Sequence, residues 1–280
     1  LVQSRAQALG ACLTVALFCG CEAVLGIKGL PEPQDASTTS GPEASPEPSP
    51  EASPESGDTS CTDIAGLVGY YTMDANSISG TRLADGSRNH NDATLVGFSA
   101  PLTATGKFGE ALSYPAAGAA YVRISQLGLD QTPGNANSVS LWFYRSAGNI
   151  NDVLVSLPDS PRYDLWLTDT AGPHLCINTG HGECFGILNS NMHDRWVHVV
   201  AVFNNGDTTQ GHLYVDGNDA NATCQPGLPA CVYGATAMAP VNFGGPTEFF
   251  FRGLLDEVRI YKRALTASEV SLLYRGQVCP

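Results

Sequence analysis

Arg195-Trp196-Val197-His198-Val199-Val200-Ala201-Val202-Phe203 is apolar at almost every position. Its β-branched residues suit a pleated strand. Successive side chains of a strand point to opposite faces, so this run needs cover on both sides and is expected to be buried. Ser138–Arg145 carries the complementary signal: Val139, Leu141 and Phe143 point one way, and Ser140, Trp142 and Tyr144 the other. Outward from these two, similar short runs recur between Gly- and Pro-rich turns, at 67–73, 93–98, 111–114, 120–124, 152–157, 163–168, 174–178, 184–188, 212–216, 241–244 and 253–261. Many strands with no βαβ rhythm predict an all-β, two-sheet antiparallel jelly-roll sandwich. One short helix closes it. Thr266-Ala267-Ser268-Glu269 is a capping box, and Val270, Leu273 and Tyr274 give the helix an apolar side.

The domain begins near Cys61, and what precedes it is of another kind. Arg5 and the apolar run Ala8–Phe18 have the make-up of a secretory signal; the run is too short to span a bilayer, which takes roughly 20 residues. Phe18-Cys19-Gly20-Cys21 resembles a bacterial lipobox, which implies a signal peptide over 1–20 and lipidation of Cys21. Glu22 follows where an inner-membrane retention signal would have Asp, so the expected address is the cell envelope, at the outer membrane or cell surface. Residues 21–60 form a Pro/Glu/Ser-rich linker with near-repeats such as Pro42-Glu43-Ala44-Ser45-Pro46 and Pro50-Glu51-Ala52-Ser53-Pro54. That composition buries too little apolar surface to order itself and is expected to be a disordered, semi-stiff spacer. Fully extended it would reach on the order of 120 Å.

The chain carries a net charge of −13. Eight acids against Lys28 leave the linker at −7, Arg5 adds one positive charge, and the remaining −7 lies on 61–280. Both parts are acidic, which argues against a nucleic-acid partner.

With Cys12, Cys19 and Cys21 assigned to the signal and lipobox, six cysteines remain. An even number in an exported chain implies disulfides, and six allow 15 pairings. Spacing favours Cys176–Cys184 around a Gly-rich turn, Cys224–Cys231 around a Pro-rich loop, and Cys61–Cys279 joining the ends of the domain over 61–280. The rival, a zinc cluster of His174, Cys176, His181 and Cys184, matches no standard ligand spacing.

Several of these segments together resemble the concanavalin A-like, laminin-G-like jelly rolls of bacterial surface proteins. They are Leu67-Val68-Gly69-Tyr70-Tyr71, Gly106-Lys107-Phe108-Gly109-Glu110-Ala111-Leu112, Ser138–Phe143, Trp196–Val202, Leu213-Tyr214-Val215-Asp216-Gly217 and Gly253–Tyr261. The resemblance covers essentially all of 64–275 and is specific for the fold. It implies one structural calcium ion, with Asp256 and Asp74 in the matching positions. Glycoside hydrolases of this fold carry Glu-x-Asp-x-x-Glu; no such motif occurs here, nor a Gly-x-Ser-x-Gly elbow. Asp256-Glu257 is the nearest acidic pair, and adjacent strand residues are expected to face opposite ways.

The expected role is therefore non-catalytic: a lipid-anchored surface module that binds a carbohydrate or a surface protein. Tyr163, Trp166 and Tyr233 are the candidate ligand-binding aromatics, and at least one ring of Phe249-Phe250-Phe251 should face outward. A hydrolase with an unrecognised site and an assembly module without a small ligand are the alternatives.

Overall fold

The computed structural model describes residues 61–100, 102–115, 119–146, 151–157, 163–169, 174–188, 192–245 and 249–279. The expected signal peptide over 1–20, the lipidation site Cys21 and the linker over 21–60 lie outside the described residues.

The described strands are, in chain order, β1 (Leu67–Tyr71), β2 (Ile78–Ser79), β3 (Arg82–Leu83), β4 (Ala93–Val96), β5 (Thr103–Thr105), β6 (Glu110–Tyr114), β7 (Tyr121–Ile124), β8 (Ala136–Tyr144) and β9 (Asn151–Leu157). They continue with β10 (Tyr163–Thr168), β11 (His174–Asn178), β12 (Phe185–Leu188), β13 (Trp196–Asn204), β14 (His212–Val215), β15 (Asn218–Asp219), β16 (Thr223–Cys224), β17 (Val241–Phe243) and β18 (Gly253–Tyr261), before helix α1 (Ala267–Tyr274). The first sheet runs β15-β14-β13-β8-β18-β6-β5, with β1 also on β18; the second runs β16-β12-β11-β10-β9-β17-β7-β4-β3-β2. All strand pairs are antiparallel, so the expected all-β jelly roll is the observed fold.

Every run read from the sequence is a strand. The strands not foreseen (β2, β3, β5, β15 and β16) are two or three residues long, too short to show alternation. The core lies between the sheets. Val139, Leu141 and Phe143 of β8 and Val197, Val199, Ala201 and Phe203 of β13 meet Leu154, Leu165, Ile177 and Phe243 of the second sheet there.

The other side of β13 is also covered, as its composition demanded. Val200 and Val202 join Ile64, Tyr261, Leu265, Val270 and Leu273 in a second apolar cluster beneath α1. Burying Val270 and Leu273 contributes about 1.5–3 kcal/mol each. The capping box is formed: Glu269 N donates to Thr266 Oγ1 at 3.3 Å, and Thr266 N donates to Glu269 Oε2 at 2.8 Å.

All three disulfides pair as the spacing favoured: Cys61–Cys279, Cys176–Cys184 and Cys224–Cys231. Cys61–Cys279 bridges a sequence separation of 218 residues beside the helix-covered face.

Candidate functional site

The sandwich has two outer faces, and they are built differently. On the first sheet, Trp142 stacks on Tyr274 of α1 (ring centroids 5.5 Å apart) and lies 5.0 Å from His198. His198 shares a 3.0 Å hydrogen bond with Ser140 Oγ. Burial, reinforced by the charges of Arg259 and Lys107, pushes the imidazole down to about 3, so it is neutral at pH 7. Arg259 lies 3.9 Å over the Tyr70 ring and pairs with Glu257 at 2.6 Å. Tyr70, Ser140, Trp142, His198, Glu257 and Arg259 line a cavity of about 220 Å³ beneath the helix.

Asp256 and Asp74, the expected calcium ligands, both serve the turn between β5 and β6. Asp256 Oδ2 accepts from Lys107 N at 2.8 Å and Phe108 N at 3.0 Å; Asp74 Oδ1 accepts from Glu110 N at 2.8 Å. A side chain at Gly106 would press within 2.7 Å of Asp256 Oδ2 and 2.6 Å of the Glu110 carbonyl, so this turn is built around the carboxylate. Calcium takes six to eight oxygen ligands; here backbone N–H donors occupy Asp256 Oδ2 and Asp74 Oδ1, while Asp256 Oδ1 is buried without a partner among the described residues. Among the described residues no group of three or more His, Cys, Asp or Glu could hold a metal. Through these bonds Asp256 and Asp74 clamp the turn between β5 and β6. Burial, with the neighbouring Glu257 charge, raises the Asp256 carboxyl to about 7 against the opposing N–H bonds.

The expectation that Asp256 and Glu257 face opposite ways is corrected. A bulge between Asp256 and Arg259 breaks the alternation, with Glu257 in the left-handed region at φ 53°. Asp256 pairs with Trp142, and Glu257 accepts from Tyr70 Oη at 3.0 Å, so both turn toward the helix-covered face. Asp256 is fully buried there.

The outer face of the second sheet is polar and in register. Adjacent strands place Asn178 beside Asp164, Asp164 beside Ser156, Ser156 beside Asn242, Asn242 beside Arg123, and Arg123 beside Thr94. Each member from Asp164 to Arg123 is flanked along its own strand by core residues: Tyr163 and Leu165, Val155 and Leu157, Val241 and Phe243, Val122 and Ile124. Period-2 alternation therefore aims the row away from the core. Ser156 and Asn242 are fully buried, yet Ser156 Oγ and both Asn242 Oδ1 and Nδ2 have no hydrogen-bond partner among the described residues. Such groups cost roughly 1–3 kcal/mol each when left unmade, and a native fold that keeps three together calls for a reason.

Beside the row lies an aromatic band. Trp166 pairs with Cys176 and Val153 across the strands and stacks on Phe249 at 6.2 Å and 16°; Trp166 Nε1 has no acceptor among the described residues. Val153 bridges to Phe250, and Gly245, at φ 147°, lets that ring approach Tyr121: a Cβ there would lie 2.7 Å from Phe250 and 3.4 Å from Tyr121. One end of the row is fixed by the Cys176–Cys184 turn, where Asn178 Nδ2 donates to Glu183 O at 2.7 Å.

Of the three candidate aromatics, Trp166 is on this face. Tyr163 is not: it is fully buried in the core against Phe203, and its hydroxyl donates to Asn204 O. Three positions separate it from Trp166, an odd number, so the two must face opposite ways. Tyr233 stacks on His181 at 3.8 Å, 39% exposed, outside the band. Phe249 is the outward ring of its run, while Phe251 is core. Ser156, Asp164, Asn242 and Arg123 were not singled out from the sequence. Their signal was a polar residue between two apolar ones in a short strand.

A larger cleft of about 540 Å³ lies at the sheet edges, lined by Leu188, Arg195, Asp216, Asn218 and Gln225 among others. Arg195 is already paired with Asp216 at 2.9 Å, and Gln225 Nε2 donates to Gly186 O at 2.7 Å. The in-register row, whose buried groups lack partners, is the stronger site.

Residues 116–271, more than half of the chain, match the Laminin_G_3 family model, described as the concanavalin A-like lectin/glucanases superfamily. The chain belongs to that superfamily. Among solved structures, this concanavalin A-like chain is similar to domain 4 of AbnA, a GH43 extracellular arabinanase from Geobacillus stearothermophilus in complex with arabinotriose: 23% identity, TM-score 0.53, covering 74% of this chain and 98% of that one. It is also similar to a mutant Trypanosoma rangeli sialidase displaying trans-sialidase activity (18%, TM-score 0.52, 76% of this chain), of whose length it spans 33%. A third likeness is to the binding domain of Paraclostridial Mosquitocidal Protein 1 (16%, TM-score 0.53, 75% and 52%). No curated protein matches the chain. At these identities the likeness is one of concanavalin A-like fold.

Proposed function

We propose that the protein is a non-catalytic carbohydrate-binding module whose binding face is the outer face of the second sheet. The observation that carries this reading is the pair Ser156 and Asn242: buried, adjacent in register and without partners among the described residues. Sugar hydroxyls both donate and accept, so a serine hydroxyl, a carboxamide and the Trp166 indole N–H are complementary to them. The Trp166–Phe249 pair supplies the flat apolar surface on which a sugar ring stacks. The row holds one carboxylate, Asp164, whereas glycosidic cleavage uses two flanking the bond. The arabinotriose complex of the similar arabinanase domain is consistent with a glycan ligand.

In the same reading, lipid at Cys21 tethers the module to the cell envelope, at the outer membrane or cell surface, and the acidic linker over 21–60 holds it outward. Binding to a panel of immobilised polysaccharides tests the ligand class. Retention on at least one, lost in Trp166→Ala, is expected; no retention on any polysaccharide contradicts the reading.

A further inference from the structure

Arg123 sits at the centre of the β7 end of the row, half-buried, between Asn242 on β17 and Thr94 on β4. It has no ion-pair or hydrogen-bond partner among the described residues. Other arginines on strands or beside them are engaged: Arg82 with Asp92, Arg145 with Asp152 and Asp169, Arg195 with Asp216, Arg259 with Glu257, Arg263 with Glu269. In a domain of net charge −7, carboxylates are plentiful, and a sheet-face guanidinium that meets none of them stands apart. Next to it, the buried Asn242 carboxamide also lacks partners.

We infer that the sugar face recognises a glycan bearing an isolated anionic group, a carboxylate or a sulfate, which Arg123 takes at the β7 end of the row. This rests on the carbohydrate reading above. A guanidinium presents a planar fork of donors that matches a carboxylate or sulfate with two parallel bonds. The neighbouring Asn242 amide can donate to the same group or read the next hydroxyl.

The rest of the row limits how much charge the ligand carries. Asp164 lies three strands from Arg123, about 14 Å away at ordinary strand spacing. A second anion at that end would meet a carboxylate, and the whole domain is acidic. The fitting ligand is a largely neutral chain with an occasional acidic unit, oriented with that unit toward β7.

The test uses the full-length chain and xylo-oligosaccharides of one length in three forms: unsubstituted, with a single glucuronate branch, and with a single sulfate. The glucuronate or sulfate form should bind at least tenfold more tightly than the neutral one, and the preferred form tells which anion the site takes. Arg123→Gln should remove that preference, and Arg123→Lys should retain part of it. Asn242→Ala should weaken all forms. Equal affinity for all three forms, unchanged in Arg123→Gln, overturns the anionic inference and leaves the carbohydrate reading standing. Absence of binding to these oligosaccharides and to every polysaccharide of the wider panel overturns both. Thermal unfolding of each variant separates lost recognition from lost folding: a preference that disappears only with the fold in both Arg123 variants also overturns the inference.

Discussion

The two outer faces of this sandwich carry comparable numbers of buried polar side chains and put them to different use. On the first sheet each of these side chains has at least one partner, beneath a helix and a disulfide: His198 has Ser140, Arg259 has Glu257, and Asp256 has two backbone N–H groups, while His198 Nδ1, Arg259 Nε and Asp256 Oδ1 have no partner among the described residues. On the second, Ser156 and Asn242 have no partner among the described residues, in a row in register with Arg123 and beside Trp166. The first pattern is that of a face sealed for stability. The second keeps polar groups at a cost in stability, which is how a folded scaffold looks where it awaits a ligand. Substitutions on the first face should therefore change unfolding and spare binding, and those on the second should do the reverse.

The largest effect is expected at the seal. Removing Cys61–Cys279 as the double serine variant frees a loop of sequence separation 218 and should cost about 5 kcal/mol in the chain-entropy model, with sugar affinity of the folded fraction unchanged. Removing Cys224–Cys231, of separation 7, should cost about 2 kcal/mol. Denaturant unfolding of both variants checks the order; an equal loss would break it.

Next comes pH. Asp256, raised from 3.8 to about 7, binds its proton more tightly when folded, so its contribution is full below pH 4 and is lost as pH rises through 7. His198, lowered from 6.5 to about 3, works the other way: its contribution is present above pH 6.5 and is lost as pH falls toward 3. Between pH 4.5 and 6.5 the two slopes oppose, and the wild-type melting temperature should vary little on their account. Asn at 256 can still accept both N–H bonds but does not titrate. Asp256→Asn should therefore expose the His198 slope, a rise in stability on the order of 2 kcal/mol across that window. A flat profile in the variant would show that His198 is not held neutral by the fold.

Smaller effects follow on the second face and at the turn clamps. Trp166→Ala should lower glycan affinity about tenfold, near 1.4 kcal/mol, with little change in melting temperature because the ring belongs to neither apolar core cluster. Calcium and chelator alike should leave the melting temperature unmoved, since Asp256 and Asp74 already serve as acceptors for backbone N–H groups. A shift of several degrees with calcium would restore the ion to the fold.

The sealed face was largely legible in the sequence. The doubly apolar β13 demanded cover on both sides, and Thr266 to Glu269 marked the helix that provides it. The spacing of the cysteines favoured the pairs that formed. The Asp256–Glu257 bulge was not legible, because a left-handed residue in mid-strand leaves no mark when it is not glycine. The second face was half legible. Alternation puts Trp166 opposite Tyr163, and on that count Tyr163 should have been set aside. The row itself depends on β17 lying between β9 and β7, a pairing of segments far apart in the chain that local patterns do not encode. Ser156, Asn242 and Arg123 look like ordinary polar alternations until that register brings them together.

The most direct test of the account is Asn242→Ala, measured for stability and glycan binding side by side. The account predicts a melting temperature equal to or above that of the wild type, since the substitution removes a buried amide without partners, together with at least a tenfold loss of affinity. A clear drop in melting temperature with affinity intact would contradict it, and would make the polar row part of the scaffold.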